Sequence, residues 1–225
     1  FDALNEISSK NNYEEIVISA AGPVSENKIS MTNRELEISA ADLEKELNVK
    51  ECHLLNDWES IGYSLPLMTK NDFNVIKSGN MDNSQTCLAI GPGTGLGFSV
   101  LRHIGNVPYV YPTELGNARS YNDHLSNLFE ISNSKNFIVL EDYLSGTGIK
   151  KIYAEKSGKN LTTEEIVSLY LEDDLATFVL NNFVVALNNI LQDLALTFNA
   201  KGGIFFAGSL MRTISEMNSI NYIKE

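Results

Sequence analysis

Four side chains, at three places in the sequence, are of the type that binds polyhydroxylated ligands. Asn56 and Asp57 end the apolar run ECHLLND, Glu114 lies in YPTELGN, and Glu141 lies in VLEDYLSGTG. Amide and carboxylate oxygens accept hydrogen bonds from hydroxyl groups, and the set contains no cation. This combination favours recognition of sugar hydroxyls. Simpler interpretations remain open, because Asp57 could cap the helix that follows it and the two glutamates could be surface acids.

The segment GPGTGLG, Gly91 to Gly97, is the second feature that could do chemistry. Glycine has no Cβ, so a backbone rich in glycine can bring several N–H groups close to a phosphate. A dinucleotide-binding loop of this kind is preceded by a strand and followed by a helix. Here the β-branched segment FSVLRHI follows, which predicts strand–loop–strand and disfavours a Rossmann oxidoreductase. The loop is therefore either a phosphate-binding hairpin or a tight hairpin whose glycines only permit positive φ angles.

Strands and helices alternate around the first pair of candidate residues. EEIVISAAGPV predicts a buried strand with both faces covered, SAADLEKEL a helix capped by Ser39, ECHLLND a second strand, and WESIGYSLPLM a helix that Pro66 ends or kinks. This alternation indicates an α/β fold with a parallel sheet. Asn56 and Asp57 then follow the carboxyl end of a strand, where such sheets bind their ligands.

A polar stretch, TKNDFNVIKSGNMDNSQ, separates this region from the rest of the chain. It predicts two domains, a small α/β domain over residues 1–68 and a large α/β domain over residues 69–225. In the second, we expect a strand at TCLAI, short helices over 122–158, two helices between Thr162 and Asn199, and a strand in GGIFFAGSL. The buried face of the second long helix is predicted to contain Phe183, Leu187, Ile190, Leu191 and Leu194.

Composition and charge exclude several classes of function. The chain has 225 residues, 29 acidic against 17 basic, and a net charge of −12. Nucleic-acid-binding proteins concentrate Lys and Arg, so no nucleic acid partner is expected. No uninterrupted apolar stretch approaches the roughly 20 residues that span a bilayer, and no signal peptide is seen, so we expect a cytoplasmic protein without a membrane partner. Cys52 and Cys87 are expected to be reduced, half-buried thiols, and no metal-ligating residues are predicted.

Several segments, in their order along the chain, resemble bacterial glucokinases. These are AAGPV, MTNRELEISAADLEKELNVKECHLLNDWESIGYSLPLM, GPGTGLG, YPTELGN, EDYLSGTGIKKIY and GGIFFAGSL. The similar branch of the hexokinase and actin-like ATPase superfamily lacks a zinc site. The resemblance implies a two-domain actin-like ATPase (ribonuclease H-like) fold with a truncated small domain. It also implies ATP-dependent phosphorylation of the 6-hydroxyl of glucose or a similar hexose, with Mg²⁺, and it is compatible with a homodimer.

The resemblance implies a role for individual residues. Asp57 matches the catalytic base that takes the proton of the 6-hydroxyl. The residues that match ligands of the sugar hydroxyls are Asn56, Asp57, Glu114 and Glu141. The residues that match the nucleotide site are Gly93, Thr94 and Gly95 of a phosphate loop, and Gly208 with Ser209 of the turn against which adenosine packs. Asn117 occupies the position of a sugar-binding histidine; it forms hydrogen bonds but carries no charge, so a changed hexose affinity or preference is expected.

Two elements of the resembled family are not found in the sequence: an opening Asp-Gly-Gly-Thr-Asn type phosphate loop, and a strand and helix after GGIFFAGSL. The first residues, DALNEISSK, read as part of a helix. We therefore expect the natural protein to be longer at both ends, and this chain alone to be inactive and oligomeric or poorly soluble, because IVISAAG would lack a neighbouring strand. The alternative to a kinase is a non-catalytic sugar-binding or interaction protein, a pseudo-kinase, derived from the same family.

Overall fold

The structure, a computed structural model, describes residues 13–31, 36–69, 71–111, 113–217 and 220–224. The chain divides into two compact units, Phe1–Ser64 (unit 1) and Leu65–Glu225 (unit 2). The sequence predicted the boundary slightly later, at residues 68 and 69. Residues 71–86, which form most of the polar stretch, contain no helix or strand. The helix predicted at DALNEISSK lies outside the described residues.

Over its described residues, 13–31 and 36–64, unit 1 contains two small sheets and two helices. Strands β1 (Glu15–Ala20) and β5 (Glu51–Asn56) pair in parallel, with Ala20 opposite Asn56. The second sheet is antiparallel and consists of β2 (Val24–Ser25), β3 (Lys28–Met31) and β4 (Leu36–Ser39). Helix α1 (Ala40–Leu47) joins β4 to β5, and helix α2 (Asp57–Ser64) follows β5 directly. The strand–helix order predicted around Asn56 and Asp57 is therefore confirmed.

The core of unit 1 is small and forms between α1 and the strands. Its buried members are Ile29, Ala40, Leu43, Leu47, Cys52 and Leu54. Leu43 and Leu47 are one helical turn apart and share the inner face of α1. The helix ends at Asn48, whose left-handed φ of 52° is the usual conformation at a helix C-terminus. Ser39 occupies the predicted N-cap position, but its side chain makes no capping hydrogen bond.

Strand β1 has one covered face, so the prediction that both faces are covered was wrong. Ile16, Ile18 and Ala20 pack against the core of unit 1, whereas Val17 on the opposite face is 62% exposed. The alternation is that of a strand with one solvated face. The sequence was misleading here because an exposed valine makes IVISAA look like a continuous buried run.

A side chain completes the hydrogen bonding of β5. Glu26 and Asn27, the two central residues of the turn between β2 and β3, have positive φ angles of 50° and 56°, as a type I′ turn requires. The Asn27 amide then reaches β5, where Nδ2 donates to the Cys52 carbonyl (3.1 Å) and Oδ1 accepts from the Leu54 N–H (3.3 Å). One amide side chain therefore takes the place that a neighbouring strand would occupy.

Unit 2 is built on a four-stranded sheet with the order β8-β7-β6-β9. Strands β6 (Cys87–Pro92), β7 (Leu96–Ile104) and β8 (Val107–Tyr111) form an antiparallel meander, and β9 (Gly203–Phe206) pairs in parallel with β6. The strand predicted after GPGTGLG is confirmed, and the Gly-rich segment is a hairpin tip. The helix that a Rossmann loop would need at this point is absent, since β7 occupies it.

Helices cover this sheet and supply most of the core. They are α3 (Asn122–Leu128), α4 (Gly146–Ser157), α5 (Thr163–Ser168), α6 (Asp174–Phe198), α7 (Ser209–Ser215) and α8 (Asn221–Lys224). The five residues predicted for the inner face of α6 are all buried. In the described part of the chain, α6 is the one helix long and apolar enough to cross a membrane, and half of that stretch is buried inside unit 2. A central core helix has the same length and composition.

We expect Asn27→Gly to lower the free energy of unfolding of unit 1 by about 1–3 kcal/mol, because the buried Leu54 N–H loses its acceptor. Glycine keeps the positive φ of the turn, so the decrease in the free energy of unfolding measures the contribution of the Asn27 side-chain amide. The matched control is Glu26→Gly, which has the same backbone conformation and an exposed side chain. Urea unfolding followed by circular dichroism measures both variants; equal stabilities would show that the Asn27 amide does not hold β5.

Candidate active site

Two parallel strands of unit 2 end side by side, and each leads into a predicted nucleotide-binding segment. Ile90 of β6 pairs with Phe206 of β9, and the next residue, Ala207, donates its N–H to the Ile90 carbonyl (3.1 Å). Beyond β9 the chain turns at Gly208, whose φ is 103°. A Cβ on Gly208 would lie 3.8 Å from the Pro92 carbonyl oxygen, so this turn lies against the base of the hairpin. Open α/β sheets bind ligands at this edge.

The tip of the β6–β7 hairpin is fixed by the start of helix α4. The Gly93 carbonyl accepts from the Gly146 N–H (2.7 Å), and the Thr94 carbonyl accepts from the Thr147 hydroxyl (2.7 Å). In a planar trans peptide the C=O and the N–H point in opposite directions. The N–H groups of Thr94 and Gly95 therefore point away from α4. Neither donates to an acceptor in the described part of the chain, which leaves two successive amides for an anion such as phosphate.

Glu141 folds against the same hairpin. Its Oε2 accepts a hydrogen bond from the Leu96 N–H (3.2 Å), although the two residues are 45 positions apart in the sequence. A Cβ on Gly95 would lie 2.6 Å from this oxygen, and one on Gly116 would lie 2.9 Å from it. The carboxylate therefore fits in its place because both neighbours are glycines.

The predicted sugar ligands Glu114 and Asn117 lie in a segment next to Glu141. The 3₁₀ turn Leu115–Asn117 begins directly after Glu114, and the Asn117 N–H donates to the Glu114 carbonyl (3.0 Å). Leu140, which precedes Glu141, donates its N–H to the carbonyl of Ala118 (2.8 Å). Glu114 and Asn117 are both exposed. The structure thus brings three of the predicted site residues, and the Gly93–Gly95 tip, to one end of unit 2.

Asp142 anchors the 3₁₀ turn Leu140–Asp142, which carries the neighbouring glutamate. One carboxylate oxygen accepts from the N–H groups of Ile138 (2.7 Å) and Val139 (2.9 Å), and the other from the Lys151 ammonium (2.6 Å). Burial raises the pKa of this carboxyl group. The Lys151 ammonium and the two backbone donors lower it by more, so the pKa of Asp142 lies below its usual value.

In unit 1, Asn56 is the residue that caps helix α2. Its Oδ1 accepts from the N–H groups of Trp58 (2.8 Å) and Glu59 (3.4 Å), and the Glu59 carboxylate accepts in return from the Asn56 N–H (3.4 Å). This is a capping box. Burial raises the pKa of the Glu59 carboxyl group. The Asn56 amide also donates one N–H to the Gly22 carbonyl (3.0 Å), and among the described residues its second N–H has no acceptor, so it is left for a ligand.

Asp57 is the first residue of α2 and not its cap, so the helix-cap interpretation of Asp57 was wrong. Its half-buried carboxylate accepts one hydrogen bond, at Oδ1, from the Trp58 N–H (3.0 Å). In the described part of the chain, its second oxygen accepts no hydrogen bond from another protein group. A carboxylate with one oxygen held and the other available can accept a proton from a hydroxyl group.

Sequence reasoning missed the residues that support the site. Ser145 is the N-cap of α4, and its hydroxyl donates to the Glu141 carbonyl (2.6 Å) and accepts from the Gly148 N–H (2.9 Å). Thr147 bonds the hairpin tip, as described above. The only signal in the sequence was LSGTG, in which a serine before glycine is typical of a helix start. Nothing local in that segment indicates a partner 53 residues away.

Among the residues that the structure describes, no three His, Cys, Asp or Glu side chains are grouped so that they could hold a metal ion. Cys52 and Cys87 are both unpaired and are fully buried rather than half-buried. Burial raises the pKa of both thiols, which keeps them protonated and unreactive at neutral pH.

Comparison with known proteins identifies the family. A family model described as Glucokinase matches residues 2–222. The chain belongs to the glucokinase family. Glucokinases of Saccharophagus degradans and Colwellia psychrerythraea are 27% and 28% identical to it, over 219 and 227 residues. In each case the match covers 92% of this chain and 68% of the relative.

Solved structures of the glucokinase family have the same fold. The crystal structure of a glucokinase from an Antarctic psychrotroph is 26% identical, with a TM-score of 0.76, and the match covers 92% of this chain and 69% of that one. A ROK family glucokinase from Streptomyces griseus, solved in complex with glucose and AMPPNP, has a TM-score of 0.65 at 16% identity, over 99% of this chain and 74% of that one. The predicted actin-like ATPase fold is therefore confirmed, and the chain is a sugar kinase by its relatives.

We expect Asp142→Asn to destabilise the protein by about 1 kcal/mol at pH 7, because the ion pair with Lys151 is lost and is partly exposed to solvent. The pKa of Asp142 is lower in the folded protein than in the unfolded chain. The ionised carboxylate therefore contributes its full stabilisation above the unfolded-state pKa of about 3.9. This stabilisation is lost as the pH falls through the lower, folded-state pKa. The difference between wild type and variant should therefore shrink below about pH 4.

Chemical unfolding at pH 7 and at a series of pH values down to 3 measures this difference. The matched control is Glu155→Gln, which removes an exposed acid from α4, the helix of Lys151, and should leave stability unchanged. A destabilisation by Asp142→Asn that stays constant across the whole pH range would contradict an ionic origin.

Proposed function

We propose that this chain is a glucokinase-type enzyme that transfers the γ-phosphoryl group of ATP to the 6-hydroxyl of glucose or a similar hexose. One observation carries this proposal within unit 2: the carboxylate of Glu141, which matches a sugar ligand of the family, is hydrogen-bonded to the Leu96 N–H of the Gly-rich hairpin. The proposed sugar ligand and the proposed phosphate loop are therefore neighbours in unit 2. The non-catalytic alternative has no such observation in its favour.

The nucleotide is proposed to bind along the edge where β6 and β9 end. The free N–H groups of Thr94 and Gly95 would cradle its phosphates, and the Gly208–Ser209 turn, which lies against the base of the same hairpin, would pack against adenosine. Small residues at these positions let a ligand approach the backbone closely. The family and the relative solved with AMPPNP support ATP as the donor.

The hexose is proposed to be held by carboxylate and amide groups. Glu141 uses Oε2 to accept from the Leu96 N–H, and its other oxygen accepts no hydrogen bond within the described ranges, so it would be available for a sugar hydroxyl. Glu114 and Asn117 flank the adjacent 3₁₀ turn and would supply further hydrogen bonds. A glucokinase from Balamuthia mandrillaris solved in complex with glucose has the same fold, with a TM-score of 0.69, and makes glucose a reasonable first substrate to test.

Asp57 is proposed as the general base. As the 6-hydroxyl oxygen attacks the γ-phosphorus, its proton passes to the free carboxylate oxygen of Asp57. The new O–P bond forms while the bond from the γ-phosphorus to the bridging oxygen breaks, and ADP leaves. Phosphoryl transfer needs alignment and neutralisation of charge more than covalent catalysis, so a modest base in the correct position suffices.

Mg²⁺ commonly supplies charge neutralisation in such reactions, and it is bound through substrate phosphates and one or two carboxylates. Among the described residues, no group of three or more His, Cys, Asp or Glu side chains could hold the ion without the substrate. We therefore propose that the ion binds together with the phosphates of ATP, and no step above depends on a protein ligand to it.

The buried, unpaired cysteines are consistent with the proposed location in a reducing cytoplasm.

We expect Asp57→Asn in the full-length protein to lower hexose-dependent turnover by about 10²–10⁴-fold, the usual contribution of a positioned base, with hexose affinity roughly unchanged. The control is Asp42→Asn, which removes an exposed acid from the first turn of the other helix of unit 1. Coupled-enzyme measurement of ADP release gives turnover, and calorimetry gives affinity. Near-normal turnover in Asp57→Asn would mean that Asp57 is not the base.

We expect Gly95→Ala to weaken glucose binding by about tenfold or more, because the added methyl group would displace the Glu141 carboxylate, and a charge-assisted hydrogen bond is worth about 1.5–3 kcal/mol. The atom displaced is the end of a flexible side chain, so folding should be little affected. Gly79→Ala, which adds a methyl group in open space, is the control. Calorimetric titration with glucose, in the absence of nucleotide, measures the affinity of both variants. An affinity of Gly95→Ala equal to that of Gly79→Ala would exclude Glu141 as a glucose ligand.

A further inference from the structure

We infer that Thr147 is a positioning residue for the nucleotide: its hydroxyl holds the Thr94 carbonyl so that the adjoining Gly95 N–H faces the phosphates of ATP. This inference rests on the proposed function and adds a residue to it, because the match to the family assigns no role to Thr147. The observation behind it is the 2.7 Å hydrogen bond from Thr147 Oγ1 to the Thr94 carbonyl.

The start of α4 is well placed to orient the hairpin. The first N–H groups of a helix have no acceptor within the helix itself. Here the Gly148 N–H is taken by the Ser145 side chain, and the Gly146 N–H is taken by the Gly93 carbonyl. Thr147 adds a side-chain donor beside them. Two successive carbonyls of the hairpin tip are therefore held from the same side, and the two amides that follow them are directed to the other side.

The helix start is itself held from behind, so it can act as a fixed support. Thr163, at the beginning of α5, donates its hydroxyl to the Gly146 carbonyl (2.8 Å). A Cβ on Gly146 would lie 3.0 Å from the Gly93 oxygen and 3.3 Å from Thr163 Oγ1, so the backbone of Gly146 is packed between the hairpin and α5. Movement of α4 away from the hairpin would break these contacts.

Within the hairpin itself, little else fixes the peptide between Thr94 and Gly95. The Gly93 N–H bonds the Gly95 carbonyl across the tip (2.8 Å), but this bond does not involve the Thr94 carbonyl. Both Thr94 and Thr147 are exposed, so their hydrogen bond contributes little to global stability. Without the Thr147 hydroxyl, the Thr94–Gly95 peptide can rotate, and the Gly95 N–H no longer points at the ligand. The effect of losing this hydroxyl should therefore appear in nucleotide binding and not in folding.

The test compares Thr147→Val, which keeps the shape and removes the hydroxyl, with Thr147→Ser, which keeps the hydroxyl. We expect the valine variant to bind AMPPNP about three- to tenfold more weakly, as expected for one lost hydrogen bond, with a similar rise in KM for ATP. The KM for glucose should not change, and the serine variant should bind as wild type does. Thr147→Ala provides a second variant without the hydroxyl, and it is well tolerated in a helix.

The control is Thr177→Val, which removes a hydroxyl that accepts from the Leu171 N–H (2.9 Å) near the start of α6. It should not change AMPPNP affinity. Suppose that wild type binds AMPPNP and that Thr147→Val and Thr147→Ala bind it as tightly as wild type does. The role of Thr147 is then disproved, while the proposed function stands. Equal weakening in the valine and serine variants would also disprove it, since the hydroxyl would then be irrelevant. Failure of wild type to bind AMPPNP would overturn the nucleotide site and this inference together.

Discussion

The candidate sugar site of unit 2 depends on one carboxylate oxygen, Oε2 of Glu141, which occupies a space between two glycines. It accepts the Leu96 N–H at 3.2 Å, and neither Gly95 nor Gly116 could carry a side chain without entering its space. Three segments that are distant in the sequence therefore meet at this oxygen. Neither glycine has a positive φ angle, so backbone conformation does not require glycine at either position. The space taken by the Glu141 carboxylate does require it. Within the Gly-rich segment, this packing accounts for Gly95 alone.

A second constraint is common to both units: polar side chains bond backbone groups that no strand or helix partner satisfies. In unit 1, Asn27 bonds the edge of β5 and Asn56 joins the start of α2 to the carbonyl of Gly22. In unit 2, Ser145 and Thr147 do the same for the turn after Glu141 and for the hairpin tip. Buried backbone groups without partners are destabilising, so small sheets such as the two-stranded β1–β5 pair depend on such side chains.

Local patterns in the sequence were sufficient to predict helices and strands, but not the contacts between segments that are distant in the sequence. The β-branched alternation of FSVLRHI predicted β7, and the spacing of apolar residues predicted the inner face of α6, because period and burial are local properties. The sequence left open whether Asp57 caps α2, and the structure has Asn56 in that role, since Asn and Asp favour the position about equally. The hydrogen bonds of Thr147 and Asn27 join residues distant in the sequence, so no local period encodes them. The resemblance to a family suggested the site residues, but it did not indicate the residues that support them.

The freedom to vary differs among the residues matched to the sugar site. Asn56 uses its amide oxygen to cap α2 and its amide nitrogen to hold the Gly22 carbonyl, so an aspartate there would set a carboxylate against that carbonyl oxygen. Glu141 is confined in a similar way. Asn117, by contrast, is exposed at the end of a short turn. The residue that stands in place of the histidine of the resembled family is therefore at an exposed position, where a substitution is expected to cost little stability.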